Sequence, residues 1–388
     1  MALPVYGDNI KGNLKSGTGA HSTVTLPDHT ATVTGGGTAY GDVGGTIVGT
    51  AVGGNDTLTG GNNASSNLMY GDAGGIKASG HGGNDILRGG DVTSTIAGAS
   101  VTNTYYGDAQ DIAGNGVGGN DIISGGNRLG GGNTSIINYF YGDSLTLVGN
   151  AHGGNDSVVG GAIANLNLLY GDASTMTGNA IGGNDTVVGG VLAGVNYLLG
   201  DAGTMSGATH GGNDIVIGGA SVTTTVTGSG YATTNYLYGD AYTLTGNAVA
   251  GNDTITAGNA SLNYLVGDGA EMAGKATAGN DVLISGTGED HMWGDAYSIS
   301  GGAVTTGHDT FVFLANSGQD FIHDFRHSDG DKIDLTALHG IDELTDLTPT
   351  VVGGNTVLHL GGGNTITLVG YAPSGGVLAS DFIFFSPH

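Results

Sequence analysis

Apolar and polar positions in this chain repeat together, and the pattern is clearest when measured from pairs of aspartates. Nine times a Gly-Asp pair, usually preceded by Tyr, is followed by a second aspartate in a glycine setting, as an Asn-Asp pair in eight copies and His308-Asp309 in the ninth. The first aspartates are Asp42, Asp72, Asp108, Asp143, Asp172, Asp201, Asp240, Asp268 and Asp295. The second are Asp56, Asp85, Asp121, Asp156, Asp185, Asp214, Asp253, Asp281 and Asp309. The two lie 13 residues apart in seven copies and 14 in two, whereas the connection to the next copy varies from 14 to 26 residues. One segment is held at fixed length and one connection takes the insertions, at 91–104, 127–139 and 220–236.

Three apolar columns run in this frame. The first stands three residues before the first Asp (Ala39 through Leu169 to Met292), and the second four or five after it (Ile47 through Met176 to Ile299). The third stands two after the second Asp (Leu58 through Val187 to Phe311). Most of these residues are followed two positions later by glycine, as in Met176-Thr177-Gly178; Ile76-Lys77-Ala78 departs from this. The pattern predicts very short strands separated by turns that use positive φ. Stacked coils would bury each column as a ladder, making stable a repeat too small for its own core. Helix is excluded, because glycine costs about 1 kcal/mol per site there and no 3.6-residue period appears. The commonest cycle is 7, 11 and 11 residues, as at Leu169, Met176, Val187 and Leu198. It fits a three-strand coil or a distorted two-sided roll; one repeat per coil puts every insertion on one side and makes nine coils a rod of about 45 Å. The expected fold is therefore all-β, a parallel β-roll or β-solenoid.

A fourth column is polar: Asn67, Asn103, Asn138, Asn167, Asn196, Asn235 and Asn263, then Asp290. Such a ladder can bond amide to amide between coils, or lend carbonyls to a ligand. A fifth, Tyr40, Tyr70, Tyr106, Tyr141, Tyr170 and Tyr238, alternates with the buried column and is expected to face outward. It would shield the sheet or offer a platform to sugar rings or another protein.

Composition sharpens the chemistry. The 388 residues include 81 glycines, where roughly 7% is ordinary. There are 34 acidic residues against 8 Lys and Arg, for a net charge of -26, and only Glu271, Glu289 and Glu343 are glutamates. Short Asp side chains among glycines suit turn-based oxygen ligands for a hard cation. Aspartates stacked at coil spacing would repel one another without a cation between them; the alternative is that they satisfy turn backbone alone. This charge rules against nucleic-acid binding through basic groups. There is no cysteine, hence no disulfide framework or thiolate site. The opening MALPVYGDNIKGNLKSG lacks the apolar core of a signal peptide, and no run approaches the ~20 apolar residues of a membrane helix.

The segments GGNDTLTGG at 53–61 and SGTGEDHMWGD at 285–295 resemble the repeats-in-toxin (RTX) family, whose nonapeptide G-G-x-G-x-D-x-U-x combines a calcium-binding turn with a strand. The resemblance covers roughly residues 37–313. It implies Ca²⁺ ions enclosed between adjacent coils by Asp carboxylates and backbone carbonyls. Carried over by position, Asp56 through Asp281 match the motif aspartate; Asp309 matches less well because His308 replaces the Asn, and Asp290 lies in the closest local match to the nonapeptide. The nine-residue spacing of that family is absent here.

After Phe313 the repeat stops. Residues 314–388 resemble the C-terminal cap and type I export region of RTX proteins, which implies secretion without an N-terminal signal. Within them Asp329, Asp331 and Asp334 are candidates for one more ion or a plain turn. Residues 1–36 read as an N-terminal segment in which Tyr6-Gly7-Asp8 marks a degenerate coil. The search for an enzyme yields decoys: a GDSL string at 142–145 sits in the repeat frame, and His81, His152 and His210 share their turn position with Val52, Val117, Ile181 and Val249. The expected protein is thus a secreted, calcium-binding structural protein of a bacterial cell surface or extracellular matrix. It is expected to be no enzyme, and to self-assemble into fibres or a layer as a homo-oligomer or filament. The alternative is an adhesin or carbohydrate-binding module for a cell-surface glycan; an enzyme acting on polysaccharide ranks last.

Overall fold

Each repeat closes one turn of a three-sided coil. A computed structural model of the chain describes residues 4–7, 12–28, 36–131, 134–221, 233–260, 262–301 and 303–385. In a central coil, Leu166–Tyr170 lies in the first sheet, Ala173–Gly178 in the second and Thr186–Val188 in the third. Among the described residues the three sheets hold 14, 9 and 12 strands, and pairing between coils is parallel and in register: Leu169 beside Leu198, Met176 beside Met205, Val187 beside Val216. Three-sided coils follow from the 7-11-11 cycle, since each apolar anchor occupies one side. The longer connections all fall between a third-sheet strand and the next first-sheet strand, as between Ile86–Arg88 and Ser100–Tyr106. Residues 132–133 and 222–232 of two insertions lie outside the described residues. No described helix is long and apolar enough to cross a membrane.

All three apolar columns point inward. Every member is fully buried except Ile299, which packs partly buried at the end of its cluster. They form two separate lobes. One joins the inner faces of the first and third sheets, from Val24 to Phe382; the other is the inner face of the second sheet, with Ile47, Met176 and Met272. Between the lobes the two turns of each coil approach within side-chain reach, and the aspartates occupy this waist.

The asparagine column is a buried amide ladder. Nδ2 of Asn138 donates to Oδ1 of Asn167 at 2.8 Å, and Asn167 to Asn196 at 2.8 Å. Each amide also closes on glycine backbone: Gly190 N–H donates to Asn196 Oδ1 and Asn196 Nδ2 to Gly190 O. Asp290 ends the ladder, accepting from Asn263 at 2.6 Å. The tyrosines shield the sheet, the first of the two roles their column suggested. Tyr40, Tyr70, Tyr106, Tyr141 and Tyr170 stack face to face at 4.8–5.0 Å, and Tyr70, Tyr106 and Tyr238 are only 6%, 8% and 2% exposed. They sit on the outer side of the sheet, but each ring covers its neighbours and wraps the corner toward the second sheet, where Tyr170 lies against Gly203.

The rod extends beyond the nine repeats at both ends. Val5–Tyr6 pairs with Ala39 and Tyr40, and Thr23–Thr25 pairs with Thr57–Thr59, so the N-terminal segment contributes a coil; Asp8 lies outside the described residues. Past Phe313 the first sheet continues through Gln319–Ile322 and the third through Lys332–Asp334, while the second sheet stops at Ala296–Ser300. An antiparallel set, Thr350–Val352, Asn355–Gly361 and Asn364–Leu368, finishes the first sheet.

Each second-sheet strand turns out through one left-handed residue: Gly114, Gly149, Gly178, Gly207 and Gly246 have φ of 76–97°, and Ala78 holds the same place at 63°. An alanine there carries a steric cost of about 1 kcal/mol. Ala78→Gly is expected to raise stability by up to that amount, and Gly178→Ala to lower it by about 1–2 kcal/mol, as read from urea unfolding midpoints in excess calcium.

Candidate metal centre

The two aspartate series form two continuous columns inside the rod. All eighteen candidates are buried, at 0–3% exposure. They are placed there by the turns that flank the second sheet. In the first column each carboxylate accepts the backbone N–H of the second-turn glycine of its own coil, from Gly54 on Asp42 to Gly307 on Asp295, at 2.5–3.0 Å. In the second column each Oδ1 from Asp85 on accepts the backbone N–H of the equivalent aspartate one coil earlier, as Asp156 N to Asp185 at 2.7 Å and Asp185 N to Asp214 at 2.7 Å, and Asp56 accepts Ser22 N. One carboxylate therefore ties two turns, or two coils, together.

These bonds leave one oxygen over. Oδ2 of Asp85, Asp121, Asp156, Asp185, Asp214, Asp253 and Asp281 is buried without a hydrogen-bond partner, as is one oxygen each of Asp72, Asp201, Asp240 and Asp268. A buried ionised oxygen without compensation is costly. The leftover oxygens do not point at random. A methyl group on Gly171 would run into both Oδ2 of Asp185 and the carbonyl oxygen of Gly200; the same pairing recurs at Gly107, with Asp121 and Gly142, and at Gly239, with Asp253 and Gly267. Carboxylate and carbonyl oxygens thus converge on glycine in eight successive coils, from Gly41 to Gly267. In the first column a methyl on Gly182 would meet Asp172 of its own coil and Asp201 of the next, and Gly153 stands likewise between Asp143 and Asp172. From the seventh coil this glycine gives way to Ala250, Ala278 and Thr306. Among the described residues, no three acidic or histidine side chains converge as a metal cluster; the donor set is carboxylate plus backbone carbonyl, all oxygen, which suits a hard divalent cation.

Burial raises most carboxyls of both columns, from Asp72 to Asp268 and from Asp85 to Asp309, well above the ordinary carboxylate range. For Asp185 burial comes first, followed by the charges of Asp172, Asp156 and Asp214; for Asp240, burial is followed by Asp253, Asp201 and Asp268. Asp156 is pushed up to about 8 by burial.

Three column members carry no repeat motif. Asp324 bonds Gly294 N and Asp295 N at 2.8 and 3.1 Å and extends the first column. Asp331 accepts Asp309 N at 3.1 Å and extends the second, and Asp320 accepts Asp290 N at 3.3 Å beyond the asparagine ladder. Asp324 follows Asp295 by 29 residues, the coil period, and that spacing was the available signal. Here Arg326 brings Nη1 within 2.5 Å of Asp295 Oδ2. Asp329, Asp331 and Asp334 do not converge: Asp329 faces Thr306, and Asp334 accepts Thr336 N on the outer side. Asp290 lies in the amide ladder, outside both columns.

The other candidates are placed plainly. Ser144 is fully buried and its hydroxyl donates to Thr146 O at 3.0 Å, so it is a strand residue. His81, His152 and His210 are exposed along one bridge column with Val52, Val117, Ile181 and Val249. Tyrosine rings stacked on one another turn their edges to solvent, which removes the flat platform a sugar ring would need along the ladder.

No known protein-family model matches the chain and no curated protein matches it, so the columns are interpreted from their own chemistry. Without a cation, the raised carboxyls make the folded chain an acid-stable one. Each group stabilises the fold fully below its unfolded value of about 3.9, and that stability is lost as pH rises through the folded value. In a metal-free buffer, β-type circular dichroism is expected to persist near pH 4 and to fade as pH rises through about 8, the midpoint of Asp156. Metal-free stability that rises with pH would contradict this assignment.

Proposed function

We propose that this chain is a secreted calcium-binding structural protein of a bacterial cell surface or matrix that assembles with itself. The observation that carries the proposal is the repeated convergence of an unbonded aspartate Oδ2 with a backbone carbonyl inside the rod. Bound Ca²⁺ would supply the positive charge that these oxygens lack. Asp185 and the Gly200 carbonyl, Asp214 and the Gly239 carbonyl, and their equivalents would hold it in the second column. Successive pairs such as Asp172 and Asp201 would hold it in the first. The similarity to RTX repeats supports the same conclusion, and supports export by the type I route.

A structural role is favoured because the rod occupies most of the described chain and Ser144, the one lipase-like serine, is sealed within it. Charge favours calcium-dependent assembly: a net -26 opposes contact between copies unless bound cations reduce it.

Calorimetric titration of the metal-free protein tests the sites. Asp185→Ala is expected to lower the number of ions bound and to reduce stability in calcium by about 3 kcal/mol or more, since its partners lose compensation. Asp342→Ala, at an exposed position outside the columns, is expected to change neither. Equal losses in both variants would show that the columns are not the sites.

A further inference from the structure

The third sheet has an outer face unlike the rest of the surface. Each of its strands turns two side chains outward, and the register links them into two straight ranks. One rank runs Arg88, Ser124, Val159, Val188, Ile217, Thr256, Ile284, Val312, Asp334, each paired with the next. In the other, Ile122 and Ile215 are 51% and 46% exposed. From Ile122 to Val312 neither rank contains an ionisable residue, and most members are β-branched. The outer face of the second sheet, by contrast, carries Lys77, Asp111 and Glu271. In a chain with 34 acidic residues, this uncharged stripe is where two copies can approach without repulsion.

We infer that this face is the contact between two copies, packed sheet against sheet with their rods antiparallel. The charges at its ends set the direction. Arg88 lies on the third strand of the twelve-stranded sheet, Asp334 on the eleventh, and Ile215–Ile217 on the seventh, midway between them. A two-fold axis along the strand direction at Ile215–Ile217 reverses the rods and sets each rank on itself. Arg88 of each copy then faces Asp334 of the other, while Val188 faces Thr256 across the axis. An axis along the rod would instead place Arg88 near its own counterpart. Lys332, the other end charge, is turned to the Ser380 carbonyl at 2.6 Å. The stripe is about 43 Å long and about 10 Å wide, so the contact covers about 900 Å² in total, the size of a weak, reversible association. This inference rests on the self-assembly proposed above and names the surface that performs it.

Sedimentation of the full-length protein in excess calcium, over a wide concentration range, tests it. The unaltered protein is expected to form a reversible dimer. Ile217→Lys points outward beside the two-fold axis, where it would meet its own counterpart; it should weaken association at least about tenfold and leave circular dichroism unchanged. Arg88→Asp should weaken it several-fold, and Arg88→Asp combined with Asp334→Arg should restore it. A monomer at all concentrations would overturn both the inference and the self-assembly reading. Association that survives Ile217→Lys would overturn the inference alone, and failure of the double exchange to restore association would overturn the antiparallel arrangement.

Discussion

The structure depends on how two columns of aspartate are accommodated inside a protein. Carboxylates cost most when taken from water unpaired, and here they are stacked coil upon coil at 0–3% exposure. Hydrogen bonds from backbone N–H groups satisfy one oxygen of most carboxylates. The other oxygen, set beside a glycine carbonyl, needs either a proton or a metal ion. The same fold thus has two ways to satisfy that oxygen: a proton, favoured in acid, or the cation proposed above, at neutral pH.

Much of the remaining architecture follows from making room for those columns. The turns on either side of the second sheet must come close enough to share a carboxylate, and this divides the interior into two apolar lobes. Glycine is required where carboxylate and carbonyl converge, as at Gly171, because a methyl group would occupy the oxygens' space. The asparagine ladder stands elsewhere in the section and performs a neutral version of the same task, with each amide donating to the next. Where the columns end, the chain supplies substitutes: Asp324 replaces the backbone carbonyls of a missing turn, and Arg326 brings a fixed positive charge to Asp295.

The three apolar columns, the placement of insertions and the amide ladder were legible in the sequence because parallel in-register stacking turns a period along the chain into a column in space. The side count of the coil was encoded in the 7-11-11 cycle, but the cycle alone does not show that each anchor has its own sheet. Alternation gave the side of the sheet on which the tyrosines lie, but not how far stacked rings cover one another and wrap a corner. Asp324 escaped notice, and Asp331 was grouped with Asp329 and Asp334 rather than with the second column, because coil ten cuts from the first sheet to the third without a second-sheet strand. Spacing survives there while the Tyr-Gly-Asp and Gly-Gly-Asn-Asp strings do not. The apolar outer stripe was also hidden, since Ile215, Ile217 and Val188 look like core residues until the three-residue strand shows which one of each set points inward.

The central claim is that buried aspartates are held ionised by resident cations at neutral pH. Elemental analysis of protein dialysed exhaustively at pH 8.5, above the value to which Asp156 is raised, with folding followed in the same sample, tests it most directly. Several calcium ions are expected to be retained per folded chain, with β structure lost in step with their removal. A fully folded chain at that pH with no bound metal would contradict it.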